Sequence, residues 1–104
     1  MIELTYDGKK YALEYTRRTV KQIERMGFDF TQLSSKPVTM MPLLFYGAFL
    51  KNHPKVKADK AEAILADMEN KDGLIAELGN MYADTLNSLI GDDGTEKNGK
   101  WEVK

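Results

Sequence analysis

An uncharged run of nine residues, from Pro42 to Leu50, constrains the fold more than any other part of the sequence. The run is too short to cross a membrane, because a membrane-spanning helix needs roughly 18 to 20 apolar residues. In a helix over residues 40–52 its apolar side chains would point to nearly every side, which is typical of a buried helix. The run therefore predicts a central helix covered by other elements, and we expect no membrane association.

The N-terminal residues predict a β-hairpin. Segments 2–6 and 11–15 alternate between apolar and polar residues, and between them lies Asp7-Gly8, a dipeptide typical of tight hairpin turns. Thr16 follows as the predicted N-cap of a first helix, with Val20, Ile23 and Met26 on its apolar side. That helix is predicted to end at Gly27, because glycine accepts the left-handed conformation that ends many helices.

Two more helices are predicted after the central one. Asp59 is the expected cap of a helix over residues 60–70, and Asp72 of a helix over residues 73–90 that contains Gly79. We therefore expect an α+β fold, with an N-terminal antiparallel hairpin packed on a small bundle of about four helices. Residues 1–90 form the predicted single domain, and the polar, glycine-containing residues 91–104 a flexible tail.

The composition excludes several classes of function. The 104 residues fit one domain, the formal net charge is −1, and there is no cysteine for a disulfide or a thiolate metal site. His53 is the single histidine, and a cap or surface position just before Pro54 is expected for it rather than catalysis. Walker and Rossmann glycine patterns are absent. We therefore expect no enzyme activity, no cofactor, no metal site and no nucleic-acid binding.

Two segments of the chain, residues 6–30 (YDGKKYALEYTRRTVKQIERMGFDF) and 42–54 (PLLFYGAFLKNHP), carry a family resemblance. Together with the elements over about residues 2–90, they resemble the small tail-assembly chaperones of long-tailed bacteriophages that infect Gram-positive hosts. The matching residues are Thr16, Arg17, Thr19, Val20, Glu24, Gly27, Phe28, Phe45, Tyr46, Ala48, Phe49 and His53.

The resemblance implies a non-enzymatic protein that coats the long tape-measure protein and helps to recruit tail-tube subunits. It also implies a site of action in the host cytoplasm, absence from the mature virion, and homo-oligomers. In that family a longer product is often made by ribosomal frameshifting. Two alternatives remain open: a small nucleic-acid-binding module that uses the basic residues of the first helix, and a structural phage protein that stays in the particle.

Protein-binding residues are predicted on the central helix and in the tail. The candidates are Met40, Met41, Leu44, Tyr46 and Trp101. Met40 and Met41 are expected at the surface because they lie at the irregular start of the helix, and methionine side chains adapt to varied partners. Trp101, the single tryptophan, shares one face of an extended segment with Val103. It is expected either to add a strand to the hairpin edge or to anchor a partner that orders the tail.

Overall fold

The computed structural model describes residues 1–90 and 102–103, without the side chains of residues 88–90. It contains a hairpin followed by four α-helices, so the predicted α+β architecture is confirmed. Apart from Glu102 and Val103, the predicted flexible tail lies outside the described residues. The elements are β1 (Ile2–Tyr6), β2 (Lys9–Leu13), α1 (Arg17–Arg25), a 3₁₀ turn (Phe30–Gln32), α2 (Pro37–Phe49), α3 (Ala58–Ala66) and α4 (Lys71–Ile90).

The hairpin closes at the turn that the sequence predicts. Asp7 and Gly8 both have positive φ, 52° and 77°, as a type I′ turn requires. The antiparallel register pairs Leu4 with Tyr11, and both side chains are buried. Period-two alternation therefore turns one face of the hairpin towards the helices and leaves the other face in water.

Helix α1 begins with the predicted cap. The Thr16 hydroxyl accepts a hydrogen bond from the Thr19 N–H at 3.1 Å, and the Thr19 hydroxyl accepts one from the Thr16 N–H at 2.9 Å. Gly27 ends the helix with φ 102°, as predicted. Met26 does not continue the apolar side: it is the C-cap residue and is 48% exposed, which corrects that expectation.

Helix α2 starts three residues earlier than predicted. Pro37 is its first residue, where the missing N–H removes no helical bond, and Pro42 lies inside the helix. The helix ends at Phe49, and the His53 N–H then donates to the Phe49 carbonyl at 2.7 Å. α2 packs against α1, α3, α4 and β2, so the prediction of a central buried helix is confirmed.

The last two helices differ from their predictions at the start. α3 is shorter than expected and begins after Lys57, so Asp59 lies in its first turn rather than capping it. Asn70 instead of Asp72 precedes α4: its φ is 49°, and its side-chain oxygen accepts from the Gly73 N–H at 3.3 Å. The core joins the hairpin to all four helices, and its largest fully buried side chains are Tyr82, Phe45, Phe49, Leu13, Ile23, Leu44, Ile64 and Leu78.

Candidate protein-binding face

One side of the central helix stays partly exposed although the helix is uncharged. At 100° per residue, four half-buried residues, three in α2 and its C-cap residue, fall on one arc opposite the buried ones, whereas Pro37 and Met41 fall among the buried side chains. We call this arc the outer face of α2, and its residues are Pro42, Leu43, Tyr46 and Leu50. A half-exposed strip with no charge is typical of a protein-binding surface rather than of an ordinary solvated helix face.

The structure separates the predicted binding residues into three groups. Met40 and Leu44 are in the core, with 5% and 0% of their surfaces exposed, so the expected surface position of Met40 is wrong. In that position the Met40 sulfur accepts a hydrogen bond from the Asp29 N–H at 3.5 Å. Met41 and Tyr46 are half-buried and pack on the core, while Trp101 lies outside the described residues.

The buried side of α2 fixes the position of the outer face. The Tyr15 hydroxyl donates to the Leu44 carbonyl, which ties the end of the hairpin to the middle of the helix. Burial raises the pKa of Tyr15 well above its usual value of 10.0. Phe45 and Phe49 add edge-to-face ring contact at 5.0 Å on the same buried side. A partner would therefore meet a rigid surface.

The C-terminal end of the outer face opens into a polar groove of about 420 Å³. Leu50 lines this groove together with Arg18 and Gln22 of α1 and with Lys51. Lys51 contacts the Glu14 carboxylate at 3.1 Å. The pKa of Glu14 is lowered first by the hydrogen bond from Asn52 and then by Lys51. The outer face thus has an apolar centre and a polar border, the general anatomy of a binding interface.

His53 lies beside a second groove, of about 470 Å³, that Lys9, Lys55 and Lys60 help to line. The His53 Nε2 atom accepts from the Ala12 N–H at 3.0 Å, so its ring caps the outer edge of β2. That contact gives the single histidine a structural role, as a cap. The three lysines make the lining of this groove basic.

The described residues also bear on metal binding and on membrane insertion. Among these residues, no group of three or more histidine, cysteine, aspartate or glutamate side chains is placed to hold a metal ion. None of the described helices combines the length and the apolar character needed to cross a membrane.

The sequence did not predict Pro42, Leu43 or Leu50 as surface residues. A helix that is apolar on every side has no periodic signal that separates core from surface, so the buried Leu44 and the partly exposed Tyr46 were both predicted to bind a partner. The nine-residue hydrophobic run did identify the correct helix. Which side of that helix remains open depends on how α1, α3 and α4 pack around it.

Comparison with known proteins adds a family assignment. No curated protein and no solved structure is significantly similar to this chain. A family model covers the whole chain, residues 1–104, and its description is "Domain of unknown function (DUF5055)". Because the match spans every element described above, the chain belongs to the DUF5055 family.

Proposed function

We propose that this protein is a phage tail-assembly chaperone that binds the tape-measure protein and helps to recruit tail-tube subunits. The observation that supports the proposal most directly is the uncharged, half-exposed outer face of α2, held on a rigid core. The resemblance of residues 6–30 and 42–54 to such chaperones supports the same role. The protein then acts in the host cytoplasm, binds as several copies, and is absent from the finished virion.

The chemistry of the outer face suits a helical partner. A tape-measure protein is long, helical and rich in apolar residues, so it aggregates unless its surface is covered before the tube assembles. An apolar helix face binds such a partner helix against helix, with anchors at helical spacing. Tyr46 lies at the middle of the outer face, and tyrosine is enriched among the residues that contribute most to binding.

The test is binding of Tyr46 variants to a fragment of the tape-measure protein encoded beside this gene. Tyr46→Ala should weaken binding more than tenfold, because truncation of a central hot-spot residue typically costs about 2 kcal/mol or more and tenfold corresponds to about 1.4 kcal/mol. Tyr46→Phe, which keeps the ring, should bind nearly as well as the wild type. Titration calorimetry measures both, and circular dichroism shows whether each variant is folded.

Leu86→Ala is the matched control for lost packing. Leu86 is also half-buried and packs on the core, but it lies on α4, away from the outer face. Leu86→Ala should lower the free energy of unfolding and leave the affinity for the tape-measure fragment unchanged. Equal affinity for the tape-measure fragment in the wild type and in Tyr46→Ala would contradict the proposed binding face.

The alternatives predict different outcomes in simple experiments. A nucleic-acid-binding module would shift DNA or RNA in gels at low and moderate salt, and we expect no shift because the net charge is −1. A structural phage protein would be found by mass spectrometry of purified particles, from which a chaperone is missing. In the genome, a very long helical reading frame downstream and a tube-protein gene upstream would support the proposed function.

A further inference from the structure

The two edges of the hairpin differ in whether other residues form hydrogen bonds to their backbone. On the β2 edge, the Ala12 N–H donates to His53 Nε2 at 3.0 Å, and the Ala12 carbonyl accepts from the Asn52 side chain at 3.1 Å. The Glu14 N–H donates to the Ala48 carbonyl at 3.0 Å. The end of α2 and the turn after it therefore cover this edge.

The β1 edge is free in the described part of the chain. Ala12 pairs with Glu3, and since the backbone groups of Ala12 point away from β1, those of Glu3 point away from β2. The alternation of antiparallel pairs gives Thr5 the same outward direction. Beyond the strand pairing, no described residue makes a hydrogen bond to the backbone of Glu3 or Thr5. An unpaired edge of this kind is a template for another strand.

A groove of about 450 Å³ runs beside the β1 edge. Its apolar lining comes from β1, the connection between α3 and α4, and the start of α4, with Ile2, Met68 and Leu74 only half-buried. Its charged lining is acidic, because Glu69 and Glu77 join Glu3 and no described lysine or arginine lines it. The matching ligand is an extended segment with apolar side chains on one face and a net positive charge on the other.

The C-terminal segment 100–104, KWEVK, has that pattern. In an extended conformation Trp101 and Val103 would share one face, and Lys100, Glu102 and Lys104 the other, which has a net charge of +1. The Val103 side chain is 87% exposed, so it does not occupy the groove of its own chain.

We propose that the β1 edge of one copy binds segment 100–104 of a second copy as a third strand. Glu3, Glu69 and Glu77 attract the lysines, and the apolar lining of the groove buries Trp101. Because the edge and the segment are different patches, the association is head-to-tail and adds copies in a row or a ring. This deepens the self-association that the proposed function includes, but its test uses only this chain, so its failure would leave tape-measure binding untouched.

Sedimentation of the full-length chain tests the proposal. The average mass should rise above 11.8 kDa as concentration increases from 1 µM towards ~1 mM, the weak end of the affinity scale. Emission from Trp101, the single tryptophan, should shift to the blue and become protected from acrylamide over the same range. A monomer at every concentration would overturn the proposal. So would blue, protected emission that does not depend on concentration, because it would place the segment on its own chain.

Two variants each remove one side of the proposed interaction, the edge or the segment. Thr5→Pro removes an outward-pointing backbone N–H but keeps the β1–β2 pairing, because proline is tolerated at solvent-facing edge positions. Thr5→Val, which keeps this N–H, is its control. Trp101→Ala removes the apolar anchor and leaves the edge intact. Each variant alone should associate at least tenfold more weakly than the wild type, whereas Thr5→Val should associate normally.

Mixing the two variants gives the sharpest outcome. Thr5→Pro retains Trp101 and Trp101→Ala retains the free edge, so the mixture should form a one-to-one dimer that cannot grow. The blue shift then reports the only tryptophan present, docked on the other chain. No dimer in the mixture, or wild-type association by either variant alone, would contradict the proposal. If circular dichroism shows Thr5→Pro to be unfolded, Glu3→Lys replaces it, because the reversed charge repels the lysines.

Discussion

Two glycines in helices, Gly47 and Gly79, differ in what lies opposite their Cα atoms. A Cβ on Gly47 would lie 2.8 Å and 2.9 Å from two side-chain carbons of Ile23, which is fully buried. A Cβ on Gly79 would lie 3.7 Å from the Phe30 ring, an ordinary contact. The close approach of two helices is therefore found at Gly47, where α1 meets α2, and not at Gly79.

Substitution by alanine should affect the two positions in opposite directions. Gly79→Ala should raise the free energy of unfolding by up to about 1 kcal/mol, because alanine is the better helix former and has room. Gly47→Ala gains the same propensity but overpacks the core, which typically costs about 1–3 kcal/mol, so a net loss of about 1 kcal/mol is expected. Urea denaturation measures both variants, and stabilisation by Gly47→Ala would show that Ile23 moves aside freely.

Tyr82 makes stability sensitive to alkaline pH. Burial, followed by the nearby charges of Glu24 and Asp29, raises the pKa of Tyr82 from 10.0 to about 12. Below pH 10 this residue is protonated in both states and has no effect. Between pH 10 and 12 the unfolded chain loses this proton while the folded chain keeps it, so the free energy of unfolding falls as pH rises.

Tyr82→Phe isolates this contribution from the other groups that titrate in the same range. Urea midpoints at pH 8, 9, 10 and 11 should fall less steeply above pH 10 in Tyr82→Phe than in the wild type. The two proteins should show the same pH dependence between pH 8 and 9. Equal slopes above pH 10 would mean that the Tyr82 hydroxyl titrates as it does in water.

At the scale of elements, the parts predicted well were those with strong local signals. Asp7-Gly8 predicts a tight hairpin turn, because aspartate and glycine readily adopt the positive φ that this turn needs. Thr16 predicts the start of α1, because its hydroxyl can accept a hydrogen bond from a backbone N–H in the first helical turn. The start of α2 was ambiguous because Pro37 and Pro42 both fit a first helical position. In the structure α2 begins at Pro37, and the Lys36 carbonyl accepts a hydrogen bond from the Met40 N–H at 2.9 Å.

The candidate surfaces were less predictable than the elements. Met40 and Tyr46 lie in one uncharged helix, and only the packing of the surrounding helices makes the first buried and the second half-exposed. Likewise, β1 rather than β2 has the free edge because the turn after α2 packs against β2. His53 caps β2 through a contact 41 residues away in sequence, and no local pattern signals such a contact.

The coverage of the β2 edge gives a prediction for His53. His53→Ala removes the acceptor of the Ala12 N–H and should lower the free energy of unfolding by about 1 kcal/mol, because that donor is only partly buried and water replaces the ring. Native-state hydrogen exchange should show faster exchange at the Ala12 amide than in the wild type. Asn52→Ala, which removes a donor to the Ala12 carbonyl instead, should leave that amide protected. Unchanged exchange in His53→Ala would mean that the ring does not cover the edge.

At the scale of the whole molecule, the two proposed surfaces lie on separate elements. The outer face of α2 belongs to the central helix, whereas the β1 edge borders the start of α4. Copies joined head-to-tail through the edge would present one outer face per copy along the row. Such a row suits a long helical partner, because linked binding faces raise the overall affinity by about 10²–10⁴ without any new contact.

The two surfaces should therefore be separable by mutation and by the length of the tape-measure fragment. Tyr46→Ala should weaken binding to short and long fragments alike, because it changes the contact itself, while self-association stays at the wild-type level. Thr5→Pro should bind a fragment long enough for one copy as tightly as the wild type. On a fragment several times longer it should lose the cooperative rise in affinity, because its copies no longer join. Titration calorimetry with the two fragments, alongside sedimentation of each variant alone, measures both properties. If Thr5→Pro weakens binding to the short fragment as much as to the long one, the β1 edge contacts the tape-measure protein directly, and the division of roles between edge and outer face is wrong.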